Sequence, residues 1–454
     1  MTLRVIPGGR GAAATSGLLV TGAAAIATLA GGLRRGATQD EVGLLDASVV
    51  GGPDAPTAPV VAAWDGRIVA AGRRDAVEAS LEAAGLPLAR FARIDAGGGL
   101  VTPGLVDPHT HLLFAGSREG ELRLRQQGAS YLEILEAGGG ILATVAATRA
   151  ASVEALLEHG RRWLDAMLAL GTTTVEAKSG YGLDLPTELR LLEVAHQLGT
   201  EGPVDVVPTY LGAHAVGPEF RARPDGAEAY VKHLLEVQLP GVAAQGRARF
   251  CDVFCERGVF DADQSRRILQ AAQAYGLEPR LHADELVPSG GAELAAELGA
   301  WSADHLGAPS PEGIDALATA ASGERPTVAI LLPSTSWFLL KRRHAPARTL
   351  IERGVPVALG TDFNPGTSPT PSLPLVMTLA VLELGMTPAE ALAAVTVNAA
   401  HALGLAEDAG SLETGRWADL VIWRVPSVDQ IPYWPGADLV RAVVKRGRIV
   451  VDRV

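Results

Sequence analysis

The sequence predicts an α/β chain: a (β/α)8 TIM-like barrel with a small β-sandwich domain built from both chain termini. Three observations carry this. Eight short apolar segments recur between residues 101 and 361, with helical stretches between most of them. Repeated strand–helix units call for parallel strands joined by right-handed crossovers, and eight such units close into a barrel. Chemically capable side chains follow the C-terminal ends of these segments, where barrel active sites form. An open doubly wound sheet competes, but it does not so naturally bring the first and eighth strands together.

Taken in order, residues 1–16 read as a flexible Gly/Ala-rich extension, one that an upstream start-site error would explain. Residues 17–30 (GLLVTGAAAIATLA) follow Arg4 and Arg10 and so have some character of a secretion signal. The run is too short to span a bilayer. It leads into Gly31-Gly32, which suits a first strand and its turn. Residues 17–100 and 405–454 share short alternating stretches such as Arg67-Ile68-Val69-Ala70 and Arg448-Ile449-Val450-Val451, as a β-sandwich requires. Both ends are therefore expected to form one small domain, with the barrel, residues 101–404, inserted between them. The barrel strands are expected at 101–109, 172–178, 204–212, 249–255, 279–283, 300–305, 326–333 and 355–361. Residues 152–170 place Leu156, Leu157, Leu164, Met167 and Leu168 at helical spacing behind Ser152, a candidate N-cap. Thr387-Pro388-Ala389-Glu390 reads as a capping box with proline at the first helical position. Residues 290–300 form a short Ala-rich stretch flanked by glycine.

Bulk properties narrow the function. The 454 residues suit one large domain plus a smaller one, and 48% hydrophobic with 20% charged residues is ordinary for a globular enzyme. A net charge of −12 without a basic cluster argues against nucleic acid and anionic membranes as partners. Cys251 and Cys255, four residues apart on a strand, would sit about 13 Å apart, beyond disulfide reach. They read as reduced buried thiols in a cytoplasmic protein.

The most informative run is Pro103-Gly104-Leu105-Val106-Asp107-Pro108-His109-Thr110-His111. On a strand, His109 and His111 point to the same face, so both imidazoles can bind one metal ion. An isolated H-x-H is more often a surface loop. Here His282, His305 and Asp362 also follow apolar segments. His109, His111, His282 and Asp362 make a donor set suited to Zn2+ or Fe2+ with room for a water. Such an ion lowers the pKa of that water toward neutrality.

On the motifs PGLVDPHTHLLFAGSRE (103–119), GTTTVEAKSGYGLD (171–184), LGAHA (211–215), DVFCE (252–256), HADE (282–285), SADHL (302–306) and TDFNPG (361–366), the chain resembles the amidohydrolase superfamily and, within it, the imidazolonepropionase family. The resemblance covers roughly residues 17–454. It implies hydrolysis of the ring amide of 4-imidazolone-5-propanoate to N-formimidoyl-L-glutamate, with one Zn2+ or Fe2+/Fe3+ per subunit. It also implies that Arg118, Tyr181 and His214 bind the substrate, the first two at its propionate, and that Asn364, Gly366 and Thr367 contact ring and product. Glu285, His305 and Asp362 are then the catalytic residues, with Glu285 also a substrate contact and the division of proton transfers among them open. A homodimer is expected by the same likeness. Binuclear relatives bridge their metals through a carboxylated Lys after the fourth strand. Here that strand ends at Cys255-Glu256, so one metal is expected, Lys178 reads as an ordinary charged or hydrogen-bonding group, and Glu256 is the residue that keeps a second metal in play. Gly217 stands where the family commonly has proline, which loosens that loop. The rival readings are a nucleobase-type deaminase of the same superfamily and a non-catalytic barrel scaffold.

Overall fold

In a computed structural model, which describes residues 4–5, 17–53, 55–128 and 139–453, eight parallel strands form one sheet in sequence order. They are β1 (Leu105–Asp107), β2 (Thr172–Lys178), β3 (Asp205–Ala213), β4 (Phe250–Cys255), β5 (Glu278–Ala283), β6 (Ser302–His305), β7 (Val328–Leu331) and β8 (Val357–Leu359). Beyond the strand ends, Thr110 bridges Phe363 in parallel, His111 N donates to Phe363 O at 2.9 Å, and Asp362 N donates to His109 O at 3.0 Å. These bonds close the sheet between its first and last strands.

The expected first strand, 101–109, is two strands. Leu100–Pro103 pairs with Leu420–Trp423 and Ala25–Ala27 in a terminal sheet, and β1 begins at Leu105 in the barrel. Gly104 joins them where a Cβ would meet Thr173 Oγ1 at 2.3 Å. Both strands are buried on both faces, so a continuous apolar run hides the passage from one sheet to the other.

The terminal residues form two facing sheets. One has seven strands drawn from both ends of the chain, and the other has four: Gly17–Thr21, Pro59–Trp64, Arg67–Arg73 and Phe91–Asp95. Leu18, Val20, Val61 and Ile68 pack between them against Val101, Leu420, Ile422, Ala442 and Val444. Residues 17–30 thus supply two short strands, Gly17–Thr21 and Ala25–Ala27, before a turn in which Gly31 and Gly32 take positive φ. No helix among the described residues is long and apolar enough to cross a membrane. Of the expected extension 1–16, only Arg4–Val5 lies within the described residues, and it pairs antiparallel with Val451 and Asp452.

Several helices that clad the barrel start where a side chain satisfies their first N–H groups. Ser152 accepts from Ala155 N and opens Val153–Ala169, which buries Leu156, Leu157, Leu164, Met167 and Leu168. Thr387 and Glu390 cap Pro388–Ala394 reciprocally. The Ala-rich stretch holds the helix Gly291–Glu297. Cys251 and Cys255 are buried free thiols on β4. At the bottom of the barrel, Lys445 Nζ reaches Asp205 at the start of β3 (2.6 Å) and Asp419 of the terminal layer, all three buried.

Candidate metal centre and active site

The strand ends bring five of the predicted residues, His109, His111, His282, His305 and Asp362, into two triads of close donor atoms that share His109. Asp107 ends β1 and accepts from Thr361 N (3.1 Å) and Thr361 Oγ1 (2.6 Å), which ties the loops after β1 and β8 together. His109 Nδ1 lies 2.6 Å from Asp304 Oδ2, and His282 Nδ1 lies 3.1 Å from Asp252 Oδ1. Each imidazole therefore donates Nδ1–H to a carboxylate and turns its Nε2 lone pair inward. Asp362 Oδ1 is 3.5 Å from His109 Nε2 and 3.4 Å from His111 Nε2, and His111 Nε2 is 3.4 Å from His282 Nε2. Metal–nitrogen bonds of about 2.0–2.1 Å in a tetrahedron place ligand atoms about 3.4 Å apart. His305 joins His109 and His282 in a second triad of mutually close donor atoms. His305 (φ 71°) and Asp362 (φ 50°) hold left-handed backbone, a conformation that costs non-glycine residues about 1–3 kcal/mol and is concentrated at functional sites.

The donor set fits a divalent cation. His109 Nε2 and His111 Nδ1 are buried without a hydrogen-bond partner. Burial, then the charge of Lys178, holds His109 well below its ordinary pKa, and burial, then His214, does the same for His111. Burial raises Asp362 to about 7 even though Thr335 Oγ1 donates to its Oδ2 at 2.6 Å. His282 differs: burial lowers its pKa, but Asp252 outweighs burial and raises it. The unpartnered nitrogens of His109 and His111 beside a buried carboxylate are what a bound cation satisfies.

The other predicted residues surround this cluster at increasing distance. The His214 ring stacks on His111 at 4.8 Å and 14°, its Nδ1 donating to Gly180 O at 3.0 Å. The Tyr181 ring is 5.4 Å from His214 and 5.8 Å from His111, in a turn whose Gly180, Gly182 and Leu183 N–H groups all donate to buried Glu188. Glu285 lies 3.8 Å from His305 Nε2 and 2.9 Å from Lys341 Nζ. Burial opposes its charge, but His305 and Lys341 outweigh that and lower its pKa to about 2.

Arg118, Asn364 and Gly366 line a cavity of about 400 Å3 together with the aromatic rings of Phe114, Trp163 and Phe363. Arg118 is not held ready for an incoming carboxylate alone: its Nε and Nη2 donate to Glu121 at 2.9 and 2.8 Å. Its Nη1 lies so close over Gly366 that a Cβ there would come within 2.1 Å. The Asn364 amide is engaged in its own loop, donating to Asp362 O and Thr367 Oγ1 and accepting from Gly366 N and Thr367 N. Glu256 does not face the cluster. It accepts from Arg257 N, Leu286 N and Ser289 Oγ, and so braces the loop after β5.

Sequence reasoning missed the groups behind the ligands: Glu176, Asp252, Arg280, Asp304, Thr335 and Lys341. It also read Lys178 as ordinary, whereas Lys178 is fully buried against Glu176 and Asp252, 2.7 Å from each. For Glu176, Lys178, Asp252, Arg280 and Asp304 the available signal was a charged residue inside an otherwise apolar strand, which a buried barrel interior tolerates only when it is paired. Thr335 and Lys341 lie outside the strands and carried no such signal.

Parallel barrel, strand-end histidines and carboxylate define the class: a metal-dependent amidohydrolase. The amidohydrolase family model matches residues 261–450. The fold resembles E. coli guanine deaminase (TM-score 0.67, 16% identity, 97% of this chain and 100% of that one) and an adenosine deaminase from Xanthomonas campestris (TM-score 0.65, 18% identity, 95% and 92%). Among curated proteins, the imidazolonepropionase of Geobacillus kaustophilus is 56% identical over 80% of this chain and 84% of its own. That of Symbiobacterium thermophilum is 50% identical over 96% and 97%. The chain belongs to the imidazolonepropionase family.

Proposed function

We propose that this chain hydrolyses the ring amide C–N bond of 4-imidazolone-5-propanoate, giving N-formimidoyl-L-glutamate in histidine degradation. The observation that carries the reading is half-identity to an imidazolonepropionase across almost the whole chain. In this reading His109, His111, His282 and Asp362 hold one zinc or iron ion. When bound, the ion supplies a Lewis acid and brings the pKa of a water toward neutrality.

The chain's own groups do the rest. Water adds to the ring carbonyl carbon, the C–N bond breaks, and the ring nitrogen leaves with a proton. Glu285, ionised between His305 and Lys341, takes a proton from the water and delivers it to that nitrogen. His305 donates to the oxygen on which charge develops. Asp362, with Oδ2 fixed by Thr335, keeps Oδ1 on the cluster and is a second acceptor for the water's proton. Arg118, Tyr181 and His214 bind the substrate, with Arg118 and Tyr181 at the propionate. Arg118 reaches the propionate through the same guanidinium that donates to Glu121. Asn364 and Thr367 shape the loop that sets Gly366 against the ring. A homodimer working in the cytoplasm completes the proposal, and light scattering at twice the chain mass checks the assembly.

The deciding assay follows loss of imidazolonepropionate absorbance by metal-reconstituted protein, against ammonia release from guanine, adenosine and cytosine. Turnover of the former is expected. Ammonia release with no imidazolonepropionate consumption would replace this reading with the deaminase one.

A further inference from the structure

Beneath the candidate ligands lies an ionic group that the proposed mechanism does not use. Lys178 Nζ, at the end of β2, sits 2.7 Å from Glu176 Oε1, 2.7 Å from Asp252 Oδ2 and 3.6 Å from Asp304 Oδ2, and all four side chains are fully buried. The two aspartates belong to β4 and β6, so one ammonium ties three alternate strands of the barrel. Each aspartate divides its work. Asp252 gives Oδ2 to Lys178 and Oδ1 to the Nδ1 and N of His282, each at 3.1 Å. Asp304 shares Oδ2 between Lys178, Arg280 Nη2 (3.5 Å) and His109 Nδ1 (2.6 Å). Arg280 also donates to Pro108 O at 2.8 Å, the carbonyl just before His109. Three carboxylates and two cations therefore stand behind two imidazoles.

We propose that Lys178 is a positioning residue of the metal centre: by cross-linking Asp252 and Asp304, it keeps His282 and His109 donating Nδ1–H outward and presenting Nε2 inward. The physical reason is competition for the carboxylates. A buried aspartate that loses the cation holding it swings toward another donor. That movement takes the acceptor away from the imidazole Nδ1–H, and with it the orientation that turns Nε2 inward. Lys178 belongs neither to the candidate ligands nor to the substrate-binding set, and its polar contacts are the carboxylates behind the histidines, so its effect reaches the reaction through those two histidines. Direct repulsion between the ammonium and the ion acts in the opposite sense, so the two effects predict opposite signs.

This rests on the reading of the cluster as a metal site, and the test separates the two. Metal-free wild type, Lys178→Met and Lys178→Arg are titrated with Zn2+ against a competing chelator, and the Co2+-loaded forms are compared by visible absorption. Wild type is expected to bind one equivalent. K178M is expected to bind about 10–100-fold more weakly, the size of loss typical when a partner behind a metal-ligating histidine is removed. Its Co2+ bands should shift, and its KM at saturating metal should stay within about twofold of wild type, with K178R recovering part of the affinity. The urea midpoints of the metal-free proteins show whether stability alone moved. If K178M is insoluble, Lys178→Gln, which keeps a donor, takes its place. Wild-type or tighter Zn2+ affinity in the uncharged variant overturns the proposal. A wild type that binds no Zn2+ overturns the metal-site reading with it.

Discussion

At the scale of single residues, the site gives two of its imidazoles, His109 and His282, one carboxylate partner each. His109 and His282 are held by carboxylates on β6 and β4, so removing a ligand leaves those groups without their purpose. His282→Ala or Asp362→Ala is expected to retain less than about half an equivalent of metal after purification, by elemental analysis, and to lose metal-dependent turnover by at least about 100-fold. Arg118 sits at the cavity, not at the cluster. Arg118→Ala should therefore raise KM at least tenfold and change kcat less, because it removes binding common to ground and transition states. Gly366→Ala should act in the same direction, since its Cβ would displace the Arg118 Nη1 that lies on it. Steady-state kinetics read both, and an unchanged KM in R118A ends that assignment. His159 offers a pH test away from the ligands. Burial, then Arg162, lowers its pKa from 6.5 to about 4, and its ring packs on Phe114 at 4.3 Å. The unfolded chain binds that proton more readily than the folded one. The contribution is thus complete above pH 6.5 and is lost as pH falls through about 4. His159→Phe should lose less stability between pH 7 and 4.5 than wild type, by about 1–2 kcal/mol after allowing for partial exposure, in urea titrations at the two pH values.

Secondary-structure elements were the most legible scale. Period-2 and helical spacing located β2 through β8 to within a few residues, because barrel strands are short apolar runs bounded by turn residues. Caps were equally visible: the Ser152 hydroxyl and the Thr387–Glu390 pair act within four residues of sequence. Ser152→Ala is expected to cost about 1 kcal/mol in the urea midpoint and to leave kcat and KM unchanged, since the cap lies at the start of an outer helix. Residues 100–107 show the limit of this reading. Nothing in the alternation of Leu100 through Asp107 marks where one sheet ends and another begins, for both bury both faces. The partner strands that decide it, Leu420–Trp423 and Thr172–Lys178, are far away in sequence.

Over the whole molecule, the terminal layers and the barrel are joined by charge as well as by apolar packing. Lys445 is buried between Asp419 of the terminal layer and Asp205 at the foot of β3. Lys445→Met should destabilise the chain by about 3–5 kcal/mol, because buried Asp419 loses its cation and Asp205 keeps only Arg446, 3.0 Å away. Differential scanning calorimetry should show a lowered Tm. The metal content should be unchanged, since the clamp lies at the opposite end of the barrel from the ligands.

The sequence by itself determined the barrel, the terminal β layers, the four candidate ligands and the motifs of the family. These are written in short segments whose periodicity and residue types act locally. Tertiary structure alone decided what stands behind the ligands. Asp304 meets His109 across 195 residues of sequence, and Asp252 meets His282 from a neighbouring strand. It also decided that Arg118 shares its guanidinium with Glu121, and that Lys178 lies in a buried ring of carboxylates. The reason is physical: a buried charge is tolerated only with its partners around it, and those partners come from strands that the closed barrel, not the chain order, brings together.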